Sequence, residues 1–392
     1  MNLINGFQFY RTPQIIFGLD KCNNLGQLAL KFGKTALIIH GKYSLGTDNK
    51  WDKIEKSLND SGISILRAEI SGEPSPQQID SIVEENRSKK IDVVIGIGGG
   101  SVIDAGKAVS AMLTVNGSVE EYLEVAGDKT HPGTKIPYIA TPTTSGTGSE
   151  ASANAVISSI GKSGFKRSLR HTNFVPDIAL VDPRLTMGCP KDITSACGMD
   201  ALTQLLESYV SIKASPFTDA LVENAFCHIR TSLIKSVTEP GDDIHARSSL
   251  AYCALISGIT LANSGLGIVH GIASSLGAFF TIPHGVVCGT LLATATEITI
   301  EKLRQTDSSS LSLKKYADAG KFLTENSDSI SQNCTNLIQL LYNWTDLLEI
   351  PRLSEFGIKK PDLRKIADES GNKNNPAKLN EEEIEELLER RL

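Results

Sequence analysis

The sequence predicts an α/β N-terminal domain built on a mostly parallel sheet, followed by an all-α C-terminal domain. Two observations carry this. Short β-branched runs alternate with helical windows through the first half of the chain, and the strand signal then stops, leaving long helical patterns to the end. Continuous apolar strands separated by helices are what a parallel sheet covered on both faces requires. The composition shift near Leu185–Pro190 sets the expected boundary, giving domains 1–187 and 188–392.

The strand candidates run in order from "PQIIFG" to "TALIIHG" (Thr35–Gly41), "DVVIGIGGG" (Asp92–Gly100), "KIPYIATPTT" (Lys135–Thr144) and "DIALVDP" (Asp177–Pro183). Between the middle three lie the helical windows "WDKIEKSLNDSG", "PQQIDSIVEENRSKK" and "SVIDAGKAVSAMLT". From about Thr194 helical patterns dominate. They close with the acidic amphipathic "LNEEEIEELLERRL", preceded by a loop, "NKNNPAKLN", whose polarity predicts exposure. The least polar window, "LAYCALISGITLANSGLGIV" (Leu250–Val269), has no charge and the length to span a bilayer. Its Gly, Ser and Ala content and Asn263 predict a buried central helix instead.

At 392 residues, 40% hydrophobic and 21% charged, the chain has the composition of a soluble protein with room for two cores. Its formal charge of −6, with no basic stretch, gives no electrostatic case for nucleic acid or an anionic membrane. Seven scattered cysteines without a CxxC pair read as reduced thiols of a cytoplasmic protein. The opening "MNLINGFQFYRTPQ" shows no signal-peptide pattern. A small-molecule substrate is the expected partner, and a homo-oligomer is compatible with this composition.

"DVVIGIGGGSVIDAGKAV" reads strand, glycines, helix. Gly98, Gly99 and Gly100 remove the Cβ atoms that would keep backbone N–H groups from a pyrophosphate at a helix N-terminus, and Ser101 can add a hydroxyl. The spacing is neither a Walker loop nor the usual dinucleotide fingerprint. A second loop, "TPTTSGTGSE" (Thr141–Glu150), follows another strand and offers Thr143, Thr144 and Thr147. A tight structural turn explains the glycine turn alone. The two together, at the ends of parallel strands, point to a nucleotide and make the first domain a dinucleotide-binding one.

"GMDALTQLLESYVS" (Gly198–Ser211) places Asp200 and Gln204 one turn apart on one helical face. "GIVHGIASS" and "TIPHGVVCG" each hold a His-Gly pair, His270 and His284, in uncharged surroundings. Each histidine alone reads as a core residue. Two histidines with an Asp and its i+4 partner fit a metal site. The remaining five histidines have no such company and read as surface or structural.

Taken in order, "GIGGGSVIDAGKA", "ATPTTSGTGSE", "PDIALVDP", "GMDALTQLLESYVS" and "GIVHGIASSLGAFFTIPHG" make the chain resemble the iron-containing (group III) alcohol dehydrogenase family over essentially its whole length. That family shares its fold with glycerol dehydrogenase and dehydroquinate synthase. The resemblance implies hydride transfer between a nicotinamide and a small alcohol or aldehyde, with catalysis at a divalent metal held by one Asp and three His in a cleft between domains. Asp200, His270 and His284 match three of those ligands and become the expected catalytic residues. Gln204 stands where the family has a histidine, and Ser274 replaces a further family histidine near the nicotinamide. If the Gln204 amide oxygen ligates, the oxygen-richer set favours Fe²⁺, with Mn²⁺ or Zn²⁺ as alternatives. Gly41 occupies the place of an acid that NAD-preferring members often carry after the second strand. With Lys42 and Ser44 beside it, NADP is favoured over NAD. Lys166 matches a family lysine near the cofactor, and Asp104 of the glycine-turn motif completes the expected cofactor set. A lyase of the dehydroquinate synthase type and a non-catalytic binding protein are the alternatives on the same scaffold.

Overall fold

The computed structural model describes residues 6–42, 50–162, 164–239 and 242–392. They form two compact units: Tyr10–Ser159 with Lys166–Cys189, and Pro190–Leu392 with Ile160–Phe165 and the segment ending at Phe9.

The first unit is α/β. Its strands are β1 (Gln14–Phe17), β2 (Thr35–Gly41), β3 (Ser64–Ile70), β4 (Val93–Gly98), β5 (Tyr138–Pro142), β6 (Asn154–Ser159), β7 (Phe165–Arg170) and β8 (Ile178–Val181). Its helices are α1 (Leu25–Leu30), α2 (Lys50–Asp60), α3 (Pro76–Asn86) and α4 (Gly100–Met112). Six strands form one sheet in the order β1-β8-β5-β4-β2-β3, and every pairing in it is parallel. β6 and β7 make a separate pair. The central strands β4, β5 and β8 are buried at every residue, as their unbroken apolar runs require.

β3 and the β6–β7 pair escape the sequence pattern. β3, "SILRAEI", lies at the sheet edge with only Ile70 buried, so polar residues interrupt the apolar signal. Arg67 on β3 sits 4.2 Å from the Trp51 ring and 2.6 Å from Glu55, charging that edge. Gly96 on β4 and Gly106 on α4 leave room for Tyr138, whose hydroxyl would lie 2.2 and 2.7 Å from a Cβ at those positions. That hydroxyl donates to the Ile103 carbonyl at 2.8 Å.

The second unit carries α5 (Lys191–Val210), α6 (Pro216–Thr238), α7 (Ile244–Ser264), α8 (Ile268–Phe279), α9 (His284–Thr306), α10 (Leu311–Thr324), α11 (Ile330–Leu347), α12 (Lys360–Asp368) and α13 (Glu381–Glu389). Helix starts follow local chemistry. Ser215 and Thr218 form a capping box ahead of Pro216 at α6, and Asn380 with Glu383 does the same at α13. α5 packs against α6, α7 and α9 and is buried almost continuously from Thr194.

Two expectations are corrected here. The window Leu250–Val269 is not one helix: α7 ends at Ser264, Gly265 turns at φ +68°, and α8 sets off at 99° to α7. The glycine supplies the left-handed corner that other residues resist. Among the described residues, no single helix is long and apolar enough to cross a membrane. The loop Asn372–Asn380 is also not simply exposed, because Asn375, Ala377 and Leu379 are buried in it. Its polar groups find partners within the loop and beyond it: Asn372 bonds Leu379 in both directions (2.8 and 2.7 Å), and the Asn374 N–H donates to the Leu266 carbonyl at 2.9 Å.

Candidate metal and cofactor sites

Three helices of the second unit converge on one buried cluster. α5 supplies Asp200, α8 supplies His270 from its first turn, and α9 supplies His284 as its first residue with Cys288 one turn later. One ligand-type atom from each of these four lies within 4.8 Å of all the others. His270 Nε2 is 3.3 Å and His284 Nε2 3.8 Å from Asp200 Oδ1. The Asp200 and His270 side chains are only 2% and 5% exposed, whereas His284 is 24% exposed and marks the open side. Oxygen, imidazole and thiol donors this close, facing one point, fit a divalent metal.

The His-Gly pairs have a packing cause. A Cβ at Gly271 would lie 1.7 Å from the Gly371 carbonyl oxygen, and one at Gly285 would lie 2.4 Å from that of Ala196. Each histidine sits where its helix touches neighbouring backbone, and only glycine fits beside it.

Gln204 lies against the cluster with its amide nitrogen donating to Asp200 Oδ1 at 3.1 Å and its oxygen accepting from Ser257 Oγ at 2.9 Å. Ser274 donates its hydroxyl to the His270 carbonyl at 2.9 Å. Two residues go beyond the sequence expectation, Cys288 and Glu207. Glu207 Oε2 is 2.7 Å from His270 Nδ1, and its Oε1 accepts the Val269 N–H at 2.6 Å. This carboxylate holds the ring so that Nε2 faces the cluster, the arrangement that orients ligating histidines. Its signal was present: Asp200, Gln204 and Glu207 are spaced i, i+4, i+7 on one face of α5.

The charges of the cluster act strongly on one another. Burial pushes the Asp200 carboxyl up, but His284 and His270 outweigh it and bring the pKa to about 2. Burial opposes charge on His270, yet Cys288, Asp200 and Glu207 hold it well above the ordinary histidine value. Burial pushes the Cys288 thiol up to about 12. The carboxylate is thus charged, and a bound dication would replace protons on its neighbours.

In the α/β unit, the strand order reverses between β2 and β4, the crevice at which such sheets bind ligands. Gly41 ends β2 with Lys42 next to it on one side, and Gly98 ends β4 on the other, leading through Gly99 into Gly100 and Ser101 at the start of α4. Ser44 lies outside the described residues. Gly99 caps α4 without a side chain, so the first-turn N–H groups keep their anion-binding character. The second loop closes over this turn. A Cβ at Gly100 would meet the Thr147 side chain at 2.6 Å, Thr144 is in contact range of Gly99, and the Thr143 N–H donates to the Gly98 carbonyl at 2.9 Å.

Asp104 anchors the assembly from below. It accepts from Ser149 Oγ and, at 3.0 Å, from the Val156 N–H. The wholly buried Lys107 donates to the carbonyls of Ser149 (2.9 Å) and Asn154 (2.6 Å). Burial lowers the Lys107 pKa to about 8. This lysine of the "DAGKA" motif ties α4 to the second loop and to the start of β6. Lys166, on β7, pairs with Glu73 at 3.1 Å.

Comparison with known proteins agrees with this geometry. Residues 12–183 match the family described as iron-containing alcohol dehydrogenase, and residues 194–392 match the C-terminal domain of the same family. The 1,3-propanediol dehydrogenase of Citrobacter freundii is 30% identical over 395 residues, covering 98% of this chain and 97% of its own. The NADPH-dependent butanol dehydrogenase of Clostridium saccharobutylicum is 30% identical over 93% of this chain and 94% of its own. Among solved structures, an alcohol dehydrogenase from Oenococcus oeni superimposes with a TM-score of 0.89 at 27% identity, covering 99% of this chain and 100% of its own. The chain belongs to the iron-containing alcohol dehydrogenase family and is an oxidoreductase, an alcohol dehydrogenase.

Proposed function

We propose that this chain is a cytoplasmic enzyme that moves a hydride between a nicotinamide, NADPH ahead of NADH, and a small alcohol or aldehyde. Asp200, His270 and His284 hold the divalent ion it requires, with Gln204 beside them. The observation that carries this reading is their meeting in one buried cluster with His270 oriented by Glu207. When bound, the metal supplies Lewis acidity at the substrate oxygen and the nicotinamide takes or returns the hydride.

The chain's own residues do the positioning. Gly98, Gly99, Gly100 and Ser101 present backbone N–H groups and a hydroxyl to the pyrophosphate. Thr143, Thr144 and Thr147 close over it, Asp104 keeps the two loops in register, and Gly41, Lys42, Ser44 and Lys166 complete the cofactor set. Ser274, its hydrogen committed to the His270 carbonyl, can accept from a water that carries the substrate proton away. Metal analysis coupled to an NADPH-oxidation screen across small aldehydes tests the whole reading. Turnover in thoroughly demetallated protein overturns it.

Two expected results arise directly. Gly41→Asp places a carboxylate at the end of β2, where it repels a 2′-phosphate, and should move preference toward NADH by about tenfold or more, equivalent to about 1.4 kcal/mol. The ratio of kcat/KM for the two cofactors measures it, and strong NADH preference in the wild type overturns the reading of this loop. Glu207→Gln should weaken metal binding by about 10–100-fold. Glu207 accepts one hydrogen bond on each oxygen, from Val269 and from His270, and an amide can accept on only one. Zinc or cobalt titration of purified protein measures the loss, and unchanged affinity removes Glu207 from the positioning role.

A further inference from the structure

We propose that Cys288 is a ligand of the metal, its thiolate completing an Asp200, His270, His284, Cys288 donor set. On this arrangement Gln204 stays hydrogen-bonded to Asp200 and does not ligate. The inference rests on the metal reading above and names its fourth donor.

The warrant is geometric. A tetrahedral ion with metal–nitrogen and metal–oxygen bonds of about 2.0 Å and a metal–sulfur bond of about 2.3 Å separates its donors by about 3.3 Å (N···O) and about 3.5 Å (N···S). Cys288 Sγ is 3.6 Å from His270 Nε2 and 3.7 Å from His284 Nε2. The two imidazoles are 3.3 and 3.8 Å from Asp200 Oδ1. These are four of the six edges of such a tetrahedron, with Cys288 at a corner, and the other two donor pairs lie within 4.8 Å. The sequence supports it locally, since His284 and Cys288 are four residues apart at the start of α9 and share a face. Gln204, by contrast, turns its N–H rather than its oxygen toward Asp200, and its oxygen is engaged by Ser257 Oγ.

The chemical consequence is a change of preference. Asp200 and a Cys288 thiolate together neutralise a dication, and sulfur favours softer ions. Zinc and cobalt should therefore be held ahead of manganese.

Cobalt(II) is the probe, because a cobalt–thiolate bond gives an intense near-ultraviolet charge-transfer absorption that oxygen and imidazole ligands do not. Metal-free wild type titrated with Co²⁺ should bind one equivalent and develop that band. Cys288→Ser should lose the band and bind cobalt at least about tenfold more weakly. Gln204→Ala should keep the band and bind within a few-fold of wild type. Cobalt bound by wild type without the band, or a band that survives in Cys288→Ser, overturns the assignment while leaving the metal reading intact. Failure of wild type to bind cobalt or zinc at all overturns both. If the serine variant does not fold, Cys288→Ala serves the same purpose, and a wild-type spectrum without the band overturns the assignment by itself.

Discussion

Alanine at His284 is expected to empty the metal site and lower turnover by about a thousandfold or more. Lewis-acid activation of the substrate oxygen is worth several kcal/mol of barrier, and each 1.36 kcal/mol corresponds to about tenfold in rate. His284 is the more exposed of the two histidines, so its removal leaves little buried polar surface unsatisfied. His270→Ala should lower turnover equally and also destabilise the protein. It strips Glu207 of the imidazole partner at 2.7 Å in a buried setting, at a cost of about 1–3 kcal/mol. NADPH affinity should stay within a few-fold in both variants, because Gly98–Ser101 and the threonine loop belong to the α/β unit. Metal content, steady-state rates and cofactor binding on the same preparations separate these effects. Chelation should reproduce the rate loss in wild type, and added metal should restore wild type alone. Full turnover by the His284→Ala protein would remove the metal from the mechanism.

What the sequence disclosed follows from how each signal is written. Strands buried on both faces, β4, β5 and β8, are unbroken apolar runs and were readable at once. β3 was not, since an edge strand with Arg67 and Glu69 in it looks like an ordinary polar connection. The window around Gly265 hid a corner because a residue's hydropathy carries no information about its φ. At the metal cluster, Asp200, His270 and His284 could be named from residue type and from the repeated His-Gly pairs, and the family resemblance then gave them ligand roles. Glu207 and Cys288 are a different case. Each sits at helical spacing from a named ligand, yet a glutamate in a helix and a cysteine in an apolar run have common structural explanations. Only the distances to His270 and His284 single them out.

The glycine after the first of these histidines gives the second large expectation. Inside a helix, Gly→Ala ordinarily stabilises by up to about 1 kcal/mol through propensity. At Gly271 the sign should reverse. The new Cβ would stand 1.7 Å from the Gly371 carbonyl oxygen, far inside the 3.0 Å below which such contacts essentially never occur, and the obstacle is backbone. α8 must then separate from the loop that Asn372, Asn374 and Asn375 hold in place through bonds to Leu379, Leu266 and Ala377. Overpacking of this kind costs about 1–3 kcal/mol or more. For a unit of this size that is a fall in Tm of roughly 3–10 °C. Because His270 is the adjacent residue, the same displacement should carry its Nε2 away from Asp200 and weaken metal binding alongside stability. Gly371→Ala is the matched control: it alters the other side of the same contact, but its Cβ would meet nothing within 4 Å. Thermal unfolding with and without metal should show Gly271→Ala destabilised and less responsive to added ion, with Gly371→Ala close to wild type. A Gly271→Ala protein as stable as wild type would mean that the α8 contact with Gly371 does not constrain the site.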